Sequence, residues 1–268
     1  MAFSPIGERH AIAEVVFAVQ ISPAITQGER DNLKGARERW KFLPRMVEPA
    51  MLAVGMSSPG EHPLPPPVLP LDFVRHKSDG NLDWRLHIQD RNIAVNCLTY
   101  TRWPHIWNQA RTLFAAVSEV LPQATLVESV SLQYINIFAW NGATEDYDSR
   151  ALLDERSSCV PASILDRGPH WHLHEGWFSP VTDGPSGRVL DRMHIDGIDD
   201  ETGRHVVKLE SLHRLDFEPS RIPHLGEALS TATKAIDTGF ELLHGRAKRS
   251  LGDYLNPDVQ GAINLHAE

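Results

Sequence analysis

The stretch LVESVSLQYINIFAW, Leu126 to Trp140, decides the fold. Rich in β-branched and aromatic residues, it reads as a strand. It matches an earlier strand, AIAEVVFAVQI (Ala11 to Ile21), in which Val15, Val16, Phe17, Val19 and Ile21 carry the same β character before Ser22-Pro23 ends it. Two such strands, one near the start and one at the midpoint, predict that the chain runs through a single pattern twice.

After the first strand, TQGERDNLKGARERWKFLPRM reads as a helix, with Thr26 as N-cap and Glu29 at the spacing of a capping box. Ser57 to Pro70 holds six prolines, which remove backbone donors and exclude both a helix interior and a central strand, so it reads as an extended connector. LDFVRHK, LDWRLHI and IAVNCLTY, separated by the turn signals SDGN and QDRN, predict three antiparallel strands. From Trp103 to Leu121, the residues Trp103, Ile106, Trp107, Ala110, Leu113, Phe114 and Val117 form the apolar face of an amphipathic helix.

The second half repeats this order. Behind Leu126 to Trp140 come a loop-rich segment (141–169), three strand-like runs (HWHLHEGWFSPV, GRVLDRMHIDGI and HVVKLESLHRLDFE) and a closing helix predicted over Leu225 to Leu243. A helix must hide its apolar face against a sheet. The expectation is therefore an α+β protein built as a duplicated antiparallel-sheet-plus-long-helix module in pseudo-twofold arrangement. Its halves are 1–123 and 124–268, joined in one body with both long helices on one side and a concave sheet face left open. Two separate α+β domains are the alternative. The halves share pattern and not residue identity.

Of 268 residues, 41% are hydrophobic and 23% charged, the balance of a globular chain able to bury a core. No apolar run is long enough for a membrane span, and MAFSPIGERH lacks the basic start and apolar core of a signal peptide, so a cytoplasmic protein is expected. Cys97 and Cys159 are too few for a disulfide framework and read as buried thiols. The formal charge of −9 opposes general nucleic-acid binding. The strongest basic cluster, Arg246, Lys248 and Arg249, reads as the favourable cationic end of the last helix.

The chemistry-bearing motif is GPHWHLHEGWF, Gly168 to Phe178, with His170, His172 and His174 at alternate positions. On a strand all three share one face, with Trp171 and Leu173 on the other. Two histidines so spaced project about 6.5–7 Å apart along that face and can hold a divalent transition metal, as Zn, Ni, Cu or Fe. The site would use two of the three with His194, or with a carboxylate such as Asp191, from the neighbouring strand. The competing readings are a structural strand with solvated histidines and a pH-responsive surface.

No nucleophile elbow and no Gly-rich phosphate loop occur, so no catalytic constellation and no cofactor-binding residues are identified. Cys159 and Ser158 lie in a loop-like segment without partners of fixed spacing. Glu14 interrupts an apolar strand and reads as the solvent side of an edge strand. Lys208, Glu210, Arg214 and Asp216 read as the polar face of an amphipathic strand. Six tryptophans, at 84, 103, 107, 140, 171 and 177, fall in or beside predicted elements.

HAIAEVVFAVQI and SLQYINIF, with the closing GFELLHGRAKRSLGDYL, resemble a sporadically distributed family of uncharacterised bacterial proteins. A scattered distribution implies carriage on mobile elements and service in bacterial defence or toxin–antitoxin systems. The expectation is a non-enzymatic interaction or accessory protein with a protein partner. The alternative is a metal- or small-ligand-binding protein, even a hydrolase, using the HWHLH strand.

Overall fold

A computed structural model describes residues 2–7, 10–48, 69–182, 184–229 and 234–265. Most of the proline-rich connector, 57–68, lies outside the described residues. In chain order the elements are β1 (Phe3–Pro5), β2 (Ile12–Ser22), α1 (Gln27–Gly35), β3 (Arg45–Val47), β4 (Leu71–His76), β5 (Leu82–Gln89), β6 (Asn92–Cys97), α2 (Trp103–Ser118) and β7 (Leu126–Trp140). They continue with α3 (Ala162–Leu165), β8 (Trp171–Pro180), β9 (Gly187–Asp199), β10 (His205–Phe217), α4 (Leu225–Ala228), α5 (Ala235–Tyr254) and α6 (Pro257–Ala262).

All the strands join one antiparallel sheet in the order β3-β4-β5-β6-β2-β7-β10-β9-β8, with β1 also paired to β7. The two strands that opened the sequence argument, β2 and β7, pair with each other at the centre, from Ile12↔Asn136 to Ser22↔Leu126. Outward from them the path is β6-β5-β4 on one side and β10-β9-β8 on the other. In the second half β8, the strand that follows β7, lies farthest out and the chain returns by two hairpins; in the first half β4 to β6 return by two hairpins in the same way, but the short β3 follows β2 and adds a further strand outside β4. Glu14 sits on the central strand β2 and not on an edge; its carboxylate accepts a 2.5 Å hydrogen bond from Asn96.

Strict alternation gives the sheet two unlike faces. Val15, Phe17, Val19, Leu86, Val95, Leu132, Ile195, Leu209 and Leu215 point to the helices and are fully buried. Their neighbours Val16, Ala18, Gln133, Lys208 and Glu210 stay partly exposed on a face that no described helix covers. The capping box predicted at Thr26 is present, with the Glu29 carboxylate accepting from the Thr26 backbone N–H at 2.7 Å.

α2 covers β6 and α5 covers β7 and β10. The helices run antiparallel against each other: Trp103 stacks on His244 at 4.1 Å, Trp107 meets Phe240 at 4.5 Å, and Arg111 Nε donates to Asp237 at 2.8 Å. The closing helix departs from expectation. Leu225 begins only the short α4, and the long helix starts at Ala235, where the N-cap Lys234 adopts φ 47°. Leu225 and Leu229 are buried before that start, so their helical spacing belonged to a separate turn. Ile236, Phe240, Leu243, Ala247, Leu251 and Tyr254 then form one buried stripe to the end of α5. Arg246, Lys248 and Arg249 therefore lie inside this helix and do not close it. At Gly239 an added Cβ would stand 3.1 Å from Val130, so glycine lets α5 approach the sheet closely.

Among the described residues no helix is long and apolar enough to cross a membrane. Phe240 is fully buried against Phe17, Trp107 and Phe114. Phe240→Ala should therefore destabilise the protein by about 3–5 kcal/mol in chemical denaturation.

Candidate functional site

Four polar constellations stand out, three on or behind the sheet half formed by β7 to β10. The histidine strand β8 is an edge strand, and its alternation is as expected: Trp171 is buried and Leu173 partly so, while His172 and His174 are exposed. Register then separates the three histidines. His172 stands opposite Asp196 and His174 opposite His194, whose rings lie 5.3 Å apart. His194 itself bonds Asp196 at 3.1 Å.

His170 precedes the strand and turns instead to the far end of β9, where its Nε2 lies 3.1 Å from Asp199 Oδ2. The other carboxylate oxygen, Oδ1, is 2.5 Å from His205 Nδ1, and His205 Nε2 is 2.9 Å from the Thr144 hydroxyl. Asp199 and His205 are a cross-strand pair at the mouth of the β9–β10 hairpin. The hydrogen bonds from His205 and then His170 hold the Asp199 carboxyl below the usual carboxylate range. His170, Asp199 and His205 are the one group among the described residues whose three donor atoms all lie within 4.8 Å of one another. His172 and His174 do not join it.

Asp191, considered above as a ligand beside His194, occupies the opposite face. It is buried under α5, where His213 Nδ1 bonds its Oδ1 at 2.7 Å and Arg246 Nη1 bonds its Oδ2. Arg246 Nη1 also donates to Ser179 at 2.9 Å, and Tyr254 on the same helix donates to Glu175 of β8. Burial pushes the Asp191 carboxyl up, but the hydrogen bond and charge of His213 and the charge of Arg246 hold it below its ordinary value. This group separates two apolar clusters: Val189 and Leu215 lie on one side, Met193, Ile195 and Leu209 on the other. Arg246 is thus a half-buried counter-ion to Asp191 rather than part of a basic patch.

A fourth constellation lies between the helices and the central strands. Tyr134 Oη and His244 Nδ1 are 2.8 Å apart, and Trp103 Nε1, whose ring stacks on His244, donates to Glu241 at 2.8 Å. Burial, with the nearby Lys248, depresses His244 to about 4, while burial raises the Tyr134 hydroxyl well above 10. Burial likewise lifts the Cys97 thiol to about 11, so it is held as a neutral thiol. Cys159 is only partly buried. Sequence reasoning passed over Asp191–His213 and Tyr134–His244. The signal for the first was present, since Asp191 and His213 both interrupt the apolar phase of their strands.

What these features define is a class: an α+β protein with one broad antiparallel sheet, helices on one face and polar rows on the other. Neither the protein-family models, nor the curated proteins, nor the solved structures compared with it match the chain.

Asp191→Leu should cost about 1–3 kcal/mol of stability, because it leaves the fully buried His213 without its hydrogen-bond partner and the half-buried Arg246 without its counter-ion. His174→Ala, on the exposed face, should stay within about 0.5 kcal/mol. The depressed His244 gives a second expectation. The unfolded chain binds this proton near pH 6.5 and the folded chain only near 4, so the contribution is complete above 6.5 and is lost as the pH falls toward 4. The loss amounts to roughly 3 kcal/mol. Denaturation curves across that range should show this slope in the wild type and a shallower one in His244→Gln.

Proposed function

We propose that the protein is a non-enzymatic interaction scaffold that takes a protein partner along the β8 edge and the open face of its sheet. The observation that carries this reading is the state of β8. It is a ten-residue edge strand, with no strand beyond it among the described residues, and near its end it exposes two consecutive aromatic residues, Phe178 (55%) on the open face and Trp177 (44%) on the opposite one. Long edges are ordinarily shortened, charged or covered, because their free backbone groups recruit other strands. An added strand would gain those hydrogen bonds, with the two aromatic side chains as anchors. The charged pairs on the same open face, Lys208 with Glu210 and Arg214 with Asp216, would select among partners by charge complementarity.

Apart from the extra outer strand β3, the strand paths of the two halves correspond, which supports a pseudo-twofold duplication of 1–123 and 124–268 as the origin of this frame. Service in the cytoplasm, in a bacterial defence or toxin–antitoxin system, is the setting that the family resemblance implies.

The test is size-exclusion and cross-linking of the tag-free protein in lysate of its native host, followed by hydrogen exchange on the isolated complex. The expected outcome is a stoichiometric complex that slows exchange along β8 and is lost in Phe178→Asp without a change in melting temperature. A chain that stays alone at micromolar concentration, or a complex indifferent to Phe178→Asp with β8 still exchanging freely, would overturn the reading.

A further inference from the structure

We infer that His170, Asp199 and His205 form a three-ligand site for a divalent transition-metal ion of the zinc class, at the hairpin end of β8, β9 and β10 and remote from the exposed aromatic end of β8. The donor set is two imidazoles and one carboxylate, which suits Zn, Co, Ni or Cu and not the oxygen-preferring Mg or Ca. The donor atoms already converge within 4.8 Å. Metal–ligand bonds of about 2.0–2.1 Å in a tetrahedron place ligand atoms about 3.3 Å apart, so binding needs only small side-chain rotations.

Two features go beyond chance proximity. The first concerns the second nitrogen of His205: Nδ1 faces the carboxylate while Nε2 is held 2.9 Å from Thr144, the outer hydrogen bond that orients a metal-binding imidazole. The second is the backbone frame. Asp199 and His205 are locked as a cross-strand pair, and the loop between them is closed by the Asp200 carboxylate, which accepts from Thr202 and Arg204. His170 is held by the start of β8, where Trp171 pairs with Gly197. A Cβ on Gly197 would stand 2.5 Å from Pro169 O and 2.8 Å from Trp171 Nε1, so glycine allows the approach that brings His170 to Asp199. His170 and Asp199 are largely solvent-facing, which leaves the fourth position open to water or an exchangeable anion.

The experiment is calorimetric titration of tag-free, metal-stripped protein with Zn2+, paralleled by the visible spectrum with Co2+. The expected result is one ion per chain and Co2+ bands of a four- or five-coordinate site. Asp199→Asn and His205→Ala should abolish both signals, and Thr144→Val should weaken affinity by about 10–100-fold. His172→Ala and His174→Ala should leave binding unchanged. Circular dichroism of the metal-free variants checks folding; should His205→Ala lose structure, His170→Ala, on the exposed side of the site, replaces it. Absence of Zn2+ binding, or binding that survives in Asp199→Asn but disappears in His172→Ala or His174→Ala, would overturn the assignment.

Discussion

The ladder between β2 and β7 is the constraint on which the rest of the structure depends. Each strand opens one half of the chain, and their pairing turns a five-stranded path, β3 to β2, and a four-stranded one, β7 to β8, into a single sheet with one helix-covered face. Without it, each half would expose the edge of its first strand, and the apolar rows through Phe17 and Leu132, which stand opposite each other, would end at solvent. The pairing also fixes the helices. α2 and α5 descend from opposite halves, so one sheet brings them side by side and their aromatic residues fill one cluster with Phe17.

α5 has a second task. Its first half lies over apolar rows, but Arg246 and Tyr254 reach polar groups that the sheet presents on the same side. Burying Asp191 alone would be costly, and its attraction to His213 and Arg246 offsets that cost without guaranteeing a net gain. What the arrangement does supply is register. An apolar stripe can slide along a sheet by a turn with little loss, whereas a guanidinium that must meet Asp191 and Ser179 cannot. The polar group between two apolar clusters thus holds the long helix in register on the sheet.

The longer strands were legible because their alternating runs are bounded by turn residues such as SDGN and QDRN, whereas the three-residue β1 and β3 carry no such pattern, and Arg45 and Met46 of β3 fell inside the stretch read as the first helix, which ends at Gly35. Leu126 to Trp140 has the same limits in sequence and structure, and the acidic hairpin after Asp199 closes as its residues demand. The capping box at Thr26 is equally local, hence equally readable. The last helix was not, since Leu225 and Leu229 continue the spacing of Ile236 and Phe240, and periodicity alone carries no information about a break at Lys234. Glu14 was misjudged for a related reason: alternation tells which face a residue takes but not whether its strand is central or at the edge.

The histidine strand shows where this limit falls for function. Spacing of two put His172 and His174 on one exposed face, and that much is a property of any strand. Whether such groups meet a ligand partner depends on what the next strand sets opposite them, which is register between segments some twenty residues apart. There Asp196 and His194 stand opposite, whereas Asp191, odd in phase, points into the core. The convergent donors came from the position just outside the strand, where His170 is freed from the pleat, and from a hairpin mouth that brings Asp199 and His205 together. Donors convergent in space were thus assembled by strand ends, which the pattern of alternation cannot describe. The face it does describe carries residues that pair along the sheet rather than around a point.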